Sequence, residues 1–143
     1  MQVSEIMARA LEFVAPDATV QAAAELMGDL DVSALPVGAP DDLQGIVTDR
    51  DILFRVVAQG RDNTRTRVRE VMSSTVFTCR EGDRLEDVMD MMAGYHVRRL
   101  PVLNEGGIVT GWITLSDISR RLLLETGAVR NALAELTAAP EGS

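Results

Sequence analysis

Apolar positions along the chain fall into helical stripes and short unbroken runs, and the two alternate. Val20, Ala23, Ala24 and Met27 recur at i, i+3, i+4 and i+7, as do Leu85, Val88, Met89 and Met92, and each set predicts an amphipathic helix. Asp83, with Glu86 three residues on, is placed to box the start of the second of these. The runs Phe13-Val14-Ala15 and Val76-Phe77-Thr78, ahead of the helices, read as strands. Behind each helix come a strand ending in Leu-Pro-Val, a polar turn and another apolar run, Leu43–Val47 in one half and Ile108–Ile113 in the other. A second helix is predicted from Asp49 and from Leu115. The order is β-α-β-β-α, twice. Further on, Leu122, Leu123, Val129, Leu133 and Leu136 predict a longer amphipathic helix over Ile118–Leu136, with residues 138–143 frayed.

The halves are copies of one another. Val3-Ser4-Glu5-Ile6-Met7 recurs as Val68-Arg69-Glu70-Val71-Met72, and Leu35-Pro36-Val37 as Leu100-Pro101-Val102, both at an offset of 65. Gly45-Ile46-Val47-Thr48 with Asp51-Ile52 recurs as Gly111-Trp112-Ile113-Thr114 with Asp117-Ile118 at an offset of 66, so the one-residue slip falls in the intervening turn. Two helices cannot cover the apolar face of one small sheet. The copies are therefore expected to pack sheet to sheet with pseudo-twofold symmetry, an α/β (α+β) fold. Residues 1–60 form the first repeat, 61–67 a polar linker, 68–124 the second repeat, and 125–143 a C-terminal helix and frayed tail.

Composition narrows the function. A chain of 143 residues can bury a core without staples. Its formal charge of −8, from 22 acidic and 14 basic residues, argues against nucleic acid as principal partner. Every basic residue is Arg, either a habit of the lineage or a source of planar forks for phosphate and carboxylate. Cys79 stands alone, which excludes an internal disulfide and a cysteine-built zinc site and fits a reducing compartment. No apolar stretch reaches the ~18 residues of a membrane span, and the start of the chain lacks a signal-peptide pattern. The expected location is the cytoplasm. One His and one Cys leave little for nucleophilic or metal catalysis, so an enzyme is not expected.

The doubled opening V-x-E-[IV]-M, strand h-L-P-V and close G-h-h-T-x-x-D-I resemble the cystathionine β-synthase (CBS) domain, in the tandem pair known as a Bateman module, over residues 3 to about 120. The resemblance implies a regulatory module that needs no catalytic cofactor. It would bind an adenosine-containing ligand (AMP, ADP, ATP, NAD or S-adenosylmethionine) between the repeats, pair into a homodimer, and signal to a partner protein. In similar pairs the Asp of Thr-x-x-Asp holds the ribose, the Thr approaches phosphate, and basic residues ahead of Leu-Pro contact phosphates. Each site combines the Thr-x-x-Asp of one half with the first strand and pre-Leu-Pro residues of the other. One candidate site thus joins Thr48 and Asp51 to Val76, Phe77, Thr78, Arg98 and Arg99, and a weaker one joins Thr114 and Asp117 to Phe13, Val14, Ser33 and Ala34.

The same residues have a structural reading. Thr with an acid three residues on is a helix-capping pattern whether or not a ligand binds, which leaves a ligand-free dimerisation module as the alternative. Adjacent Arg98 and Arg99 point to opposite faces of a strand, so one at most faces a given cleft. Trp112 is expected to pack in the core more than to stack on an adenine, His96 to serve at the surface, and Cys79 to be structural. The seven methionines read as adaptable packing.

Overall fold

The computed structural model describes residues 1–124, 131 and 134–136. Its first half contains α1 (Val20–Leu30), β1 (Ala34–Ala39), β2 (Asp42–Thr48) and α2 (Asp49–Ile52), which runs on as a π-helical turn over Leu53–Val57. The second half contains α3 (Val68–Val71), β3 (Cys79–Arg80), α4 (Leu85–Tyr95), β4 (Arg99–Leu103), β5 (Val109–Thr114) and α5 (Leu115–Leu124). Each half has an antiparallel pair, β1 with β2 and β4 with β5, with a bulge at Val37/Gly38 and at Val102/Leu103; β3 adds a third strand to the second sheet. The expected α/β (α+β) pair of β-α-β-β-α repeats is the architecture observed. Of the predicted C-terminal helix, Val129, Leu133 and the tail lie outside the described residues, and α5 is described as far as Leu124.

Two local expectations are corrected. The leading strand of the second half is Cys79–Arg80, parallel to β4 through Cys79↔Val102, and not Val76–Thr78. Its counterpart is Val14, bridged in parallel to Val37, and Cys79 lies 65 residues after it. Residues 74–78 carry the chain from Ser73, which bridges to Ile46 of the first half, across to the second sheet, so they have no ladder of their own. Nor does Asp83 box α4. Its carboxylate accepts from Arg80 N (2.9 Å), Glu86 pairs with Arg84 (3.4 Å), and the Leu85 amide donates to the Met1 carbonyl (3.1 Å). Backbone from the chain's opening does what a side-chain cap would do.

That last bond belongs to a reciprocal exchange. Val3 N donates to Asp83 O and Ser4 N to Glu81 O, while Val68 N donates to Ala18 O and Arg69 N to Pro16 O. The opening segment of each repeat therefore docks on the other repeat. Val3 and Met7 are buried with Leu85, Val88, Leu100, Val102, Ile113 and Ile118 of the second half. Val68 and Val71 are buried with Val20, Met27, Leu35, Val37, Val47 and Val56 of the first. Two cores result, and each requires residues from both ends of the repeat pattern.

The glycine opening G-h-h-T serves this crossing. Ala8 and Trp112 exchange backbone bonds (2.9 and 3.0 Å), as do Ser73 and Ile46 (2.9 and 3.0 Å). A Cβ on Gly111 would stand 2.2 Å from the Ala8 carbonyl oxygen, and one on Gly45 would stand 2.7 Å from that of Ser73. Only a residue without a side chain lets the crossing strand approach so closely.

Candidate ligand cleft

Beside the exchanged segments lie two cavities whose linings correspond through the internal repeat. One, of 220 Å³, is lined by Ile46, Thr48, Ser73, Thr75, Val76, Phe77, Val97, Arg98, Arg99 and Leu100. The other, of 280 Å³, is lined by Ala10, Leu11, Glu12, Leu30, Val32, Leu35, Pro36 and Trp112. The offsets of 65 and 66 carry one wall into the other: Leu11 onto Val76, Glu12 onto Phe77, Val32 onto Val97, and Ile46 onto Trp112.

The first cavity gathers Thr48, Val76, Phe77, Arg98 and Arg99. Both arginines line it, contrary to the expectation that one at most would, because Arg98 lies in the bend ahead of β4 and strand alternation does not apply to it. Asp51 stands one turn behind Thr48, and the two form a complete capping box: Asp51 N donates to Thr48 Oγ1 (3.1 Å) and Thr48 N to Asp51 Oδ2 (2.9 Å). Asp51 Oδ1 lies 3.8 Å from Arg55 Nε. Thr78 faces a separate 250 Å³ cavity with Pro40, Asp41, Leu43 and Val109. Phe77 stacks on the exposed Tyr95 ring with centroids 3.9 Å apart and planes 11° from parallel, which gives that side of the cleft an aromatic wall. Arg98 is exposed and, among the described residues, has no ion-pair partner.

The residues named for the second site are more dispersed. Thr114 Oγ1 accepts from Asp117 N (3.1 Å) at the start of α5, and the Asp117 carboxylate lies 3.7 Å from Arg120. Val14 and Ala34 are buried, Val14 within the first core, while Phe13 is half-buried and Ser33 exposed. The cavity wall runs instead through Ala10, Leu11 and Glu12. Those residues, like Thr75 and Ser73 opposite, escaped the sequence reading although the repeat offset itself maps Val76 and Phe77 onto Leu11 and Glu12.

Arg99 does not extend into open solvent beside Thr48. Its Nη2 donates to Ser33 Oγ at 3.2 Å and its guanidinium rests over the Trp112 ring, 5.4 Å from the centroid. Burial lowers its pKa from the ordinary arginine value, and the carboxylates of Asp49 and Asp117 act in the opposite sense. Arginine's basicity keeps the group charged throughout. Trp112 is therefore both a packed core residue and a cleft wall. Among the described residues, no group of three or more His, Cys, Asp and Glu is placed to hold a metal ion, and no helix is long and apolar enough to cross a membrane.

Two CBS domains match the chain, at residues 3–58 and 68–124, covering most of its length. The chain belongs to the CBS-domain family. The CBS domain-containing protein YhcV of Bacillus subtilis is 39% identical over 117 residues, 82% of either chain. A CBS-domain protein from Burkholderia ambifaria superposes with a TM-score of 0.80 at 30% identity, covering 88% of this chain and 96% of that one. The CBS domain pair of MJ0100, solved in complex with 5′-methylthioadenosine and S-adenosyl-L-methionine, gives a TM-score of 0.75 at 25% identity, covering 85% and 95%. The present chain is a CBS pair of the same build, matched by relatives of similar length.

Proposed function

We propose that this CBS pair is a cytoplasmic regulatory sensor rather than an enzyme, and that its Thr48 cleft binds an adenosine-containing nucleotide. The observation that carries the reading is the convergence on one cavity between the repeats of Thr48, Phe77 and Arg98, which has no ion-pair partner among the described residues. Arg98 supplies a fork of donors for a phosphate, the Phe77/Tyr95 side an apolar face for the base, and Asp51 Oδ1, outside the helix cap and 3.8 Å from Arg55, an acceptor for a ribose hydroxyl that would compete with that ion pair. The adenosine ligands of the MJ0100 pair support the same chemical class. The cavity with Glu12 and Trp112 has no phosphate partner in its own lining and is the weaker candidate.

Signalling follows if the liganded and empty forms pair differently with a regulated protein or a second copy. An apolar face is available for a homodimer. Leu53, Phe54 and Val57 are half or more exposed, and a 730 Å³ groove between α1 and the π turn continues the face through Ile52, Val56 and Val57.

A specific observation favours the rival reading, a ligand-free dimerisation module: Thr48 and Asp51 already satisfy each other as a cap. Calorimetry and thermal shift with AMP, ATP, NAD and S-adenosylmethionine separate the two, because a ligand at 100 times its Kd stabilises the folded state by about 2.7 kcal/mol. The sensor reading expects at least one to bind and Arg98→Ala to weaken it about tenfold or more, the loss of a charge-assisted contact. No binding by any of the four leaves the dimerisation module.

A further inference from the structure

We infer that Arg99 is one cation shared by both clefts, so that an anionic ligand beside Thr48 takes the guanidinium away from Trp112 and the two clefts cannot both hold it. The inference rests on the nucleotide reading above and concerns the coupling between its two cavities. Arg99 lines the Thr48 cavity, yet its guanidinium lies on Trp112, a wall of the opposite cavity, and bonds to Ser33 of the other repeat. Its position in the first repeat is taken by Ala34, fully buried and uncharged, so the pseudo-symmetry supplies no second guanidinium.

What holds Arg99 in place is divided among weak contacts. One bond goes to a neutral hydroxyl, one cation–π contact goes to Trp112, and the carboxylates of Asp49 and Asp117 act through space. A phosphate offers several charged acceptors at once and forms shorter, stronger bonds to an arginine fork than a serine hydroxyl does. The neighbouring Arg98 stands in the bend ahead of β4 and lines the Thr48 cavity with Arg99, but it is not part of the wall of the Trp112 cavity and so is not placed to take over from Arg99 there. A phosphate in the Thr48 cleft thus leaves the Trp112 ring without its cation. A second anion in the Trp112 cleft then binds more weakly than the first, whereas a neutral nucleoside is indifferent to where Arg99 sits.

Trp112 is the only tryptophan in the chain, so its emission reports on this movement directly. The test titrates the full chain with AMP and with adenosine, following calorimetric heat and Trp112 fluorescence in parallel, for the native protein, Ser33→Ala and Arg99→Gln. AMP is expected to change the emission along the same isotherm as the heat, and adenosine to leave it unchanged. Ser33→Ala, at an exposed site that does not threaten folding, removes one anchor of the resting guanidinium and should raise AMP affinity about two- to fivefold. Arg99→Gln should retain AMP binding through Arg98 at lower affinity and lose the emission change. An emission change that adenosine also produces, or that survives Arg99→Gln, comes from a base stacking on Trp112 and overturns the shared cation. So does AMP heat with no emission change and no effect of Ser33→Ala, an outcome that leaves the nucleotide reading standing. Absence of heat with both AMP and adenosine removes that reading and this inference with it.

Discussion

Cys79 shows how a single side chain can be silenced by position. It inherits the place of Val14, pairs with Val102 in the sheet, and is 2% exposed within the core around Leu85 and Met92. Burial pushes its thiol up from 9.0 to about 12, with the carboxylate of Asp83 adding to the effect. The thiolate is the reactive form, so the folded protein should resist thiol reagents at pH 8 and react only at the rate of opening. The linkage has a defined sign. Below pH 9 both folded and unfolded chains keep the proton; between 9 and 12 the unfolded chain releases it and the folded chain retains it, so stability falls as pH rises through that window. Cys79→Val should lose this part of the alkaline slope in denaturant titrations. A fast-reacting thiol in the native protein would contradict the burial.

Elements carry the next level of argument, and the glycine of each G-h-h-T close is the clearest case. Gly111 admits the backbone of Ala8 and Gly45 that of Ser73, and in both cases the nearest obstacle to a Cβ is a carbonyl oxygen. A backbone atom cannot rotate aside as a flexible side-chain tip can. Gly111→Ala should therefore cost about 2–3 kcal/mol, at the upper end of overpacking, by loosening the Ala8–Trp112 pairing. Gly94→Ala, whose Cβ meets nothing within 4 Å, is the matched control in chemical denaturation. Equal effects at the two sites would show that helix or strand propensity, not the close approach, sets the cost.

These elements also mark how much the sequence could convey. Helices α1 and α4 were legible because their buried faces, Val20, Ala23 and Met27 in one and Leu85, Val88 and Met92 in the other, repeat at helical spacing. The Leu-Pro-Val and G-h-h-T strands were legible through their duplication. The strand at Cys79–Arg80 was not, because a two-residue strand has no period, and the more apolar Val76-Phe77 beside it lines a cleft instead of a sheet. The same displacement put Phe13 and Val14 in a site whose wall is Leu11 and Glu12. Thr48, Phe77 and Arg98 were readable as cleft residues, but the resting place of Arg99 was not. Its partners Ser33 and Trp112 are distant in sequence and meet it only once the repeats are packed.

At the scale of the molecule, the exchange of openings and the exposed helical face have different consequences. The exchange makes the pair one cooperative object, because each core borrows residues from the other repeat: Val3 and Met7 in one direction, Val68 and Val71 in the other. The exposed face lies outside that exchange. Leu53, Phe54 and Val57 are 52, 51 and 64% exposed on consecutive turns, with the guanidinium of Arg50 5.2 Å from the Phe54 ring. Exposed apolar side chains grouped in this way suit an interaction site, and a second copy would present the same residues in self-complementary form, which is the homodimer proposed above. Charge matters here as well, since two chains each carrying −8 approach one another against their mutual repulsion, so association should strengthen as salt screens it. Sedimentation should show a dimer of the 15.5 kDa chain at micromolar concentration that tightens between low and moderate salt. Phe54→Glu, which places a carboxylate in the face without touching either core, should yield a monomer with an unchanged circular-dichroism spectrum. A native chain that sediments as a monomer at every salt concentration would show that this face does not pair two copies.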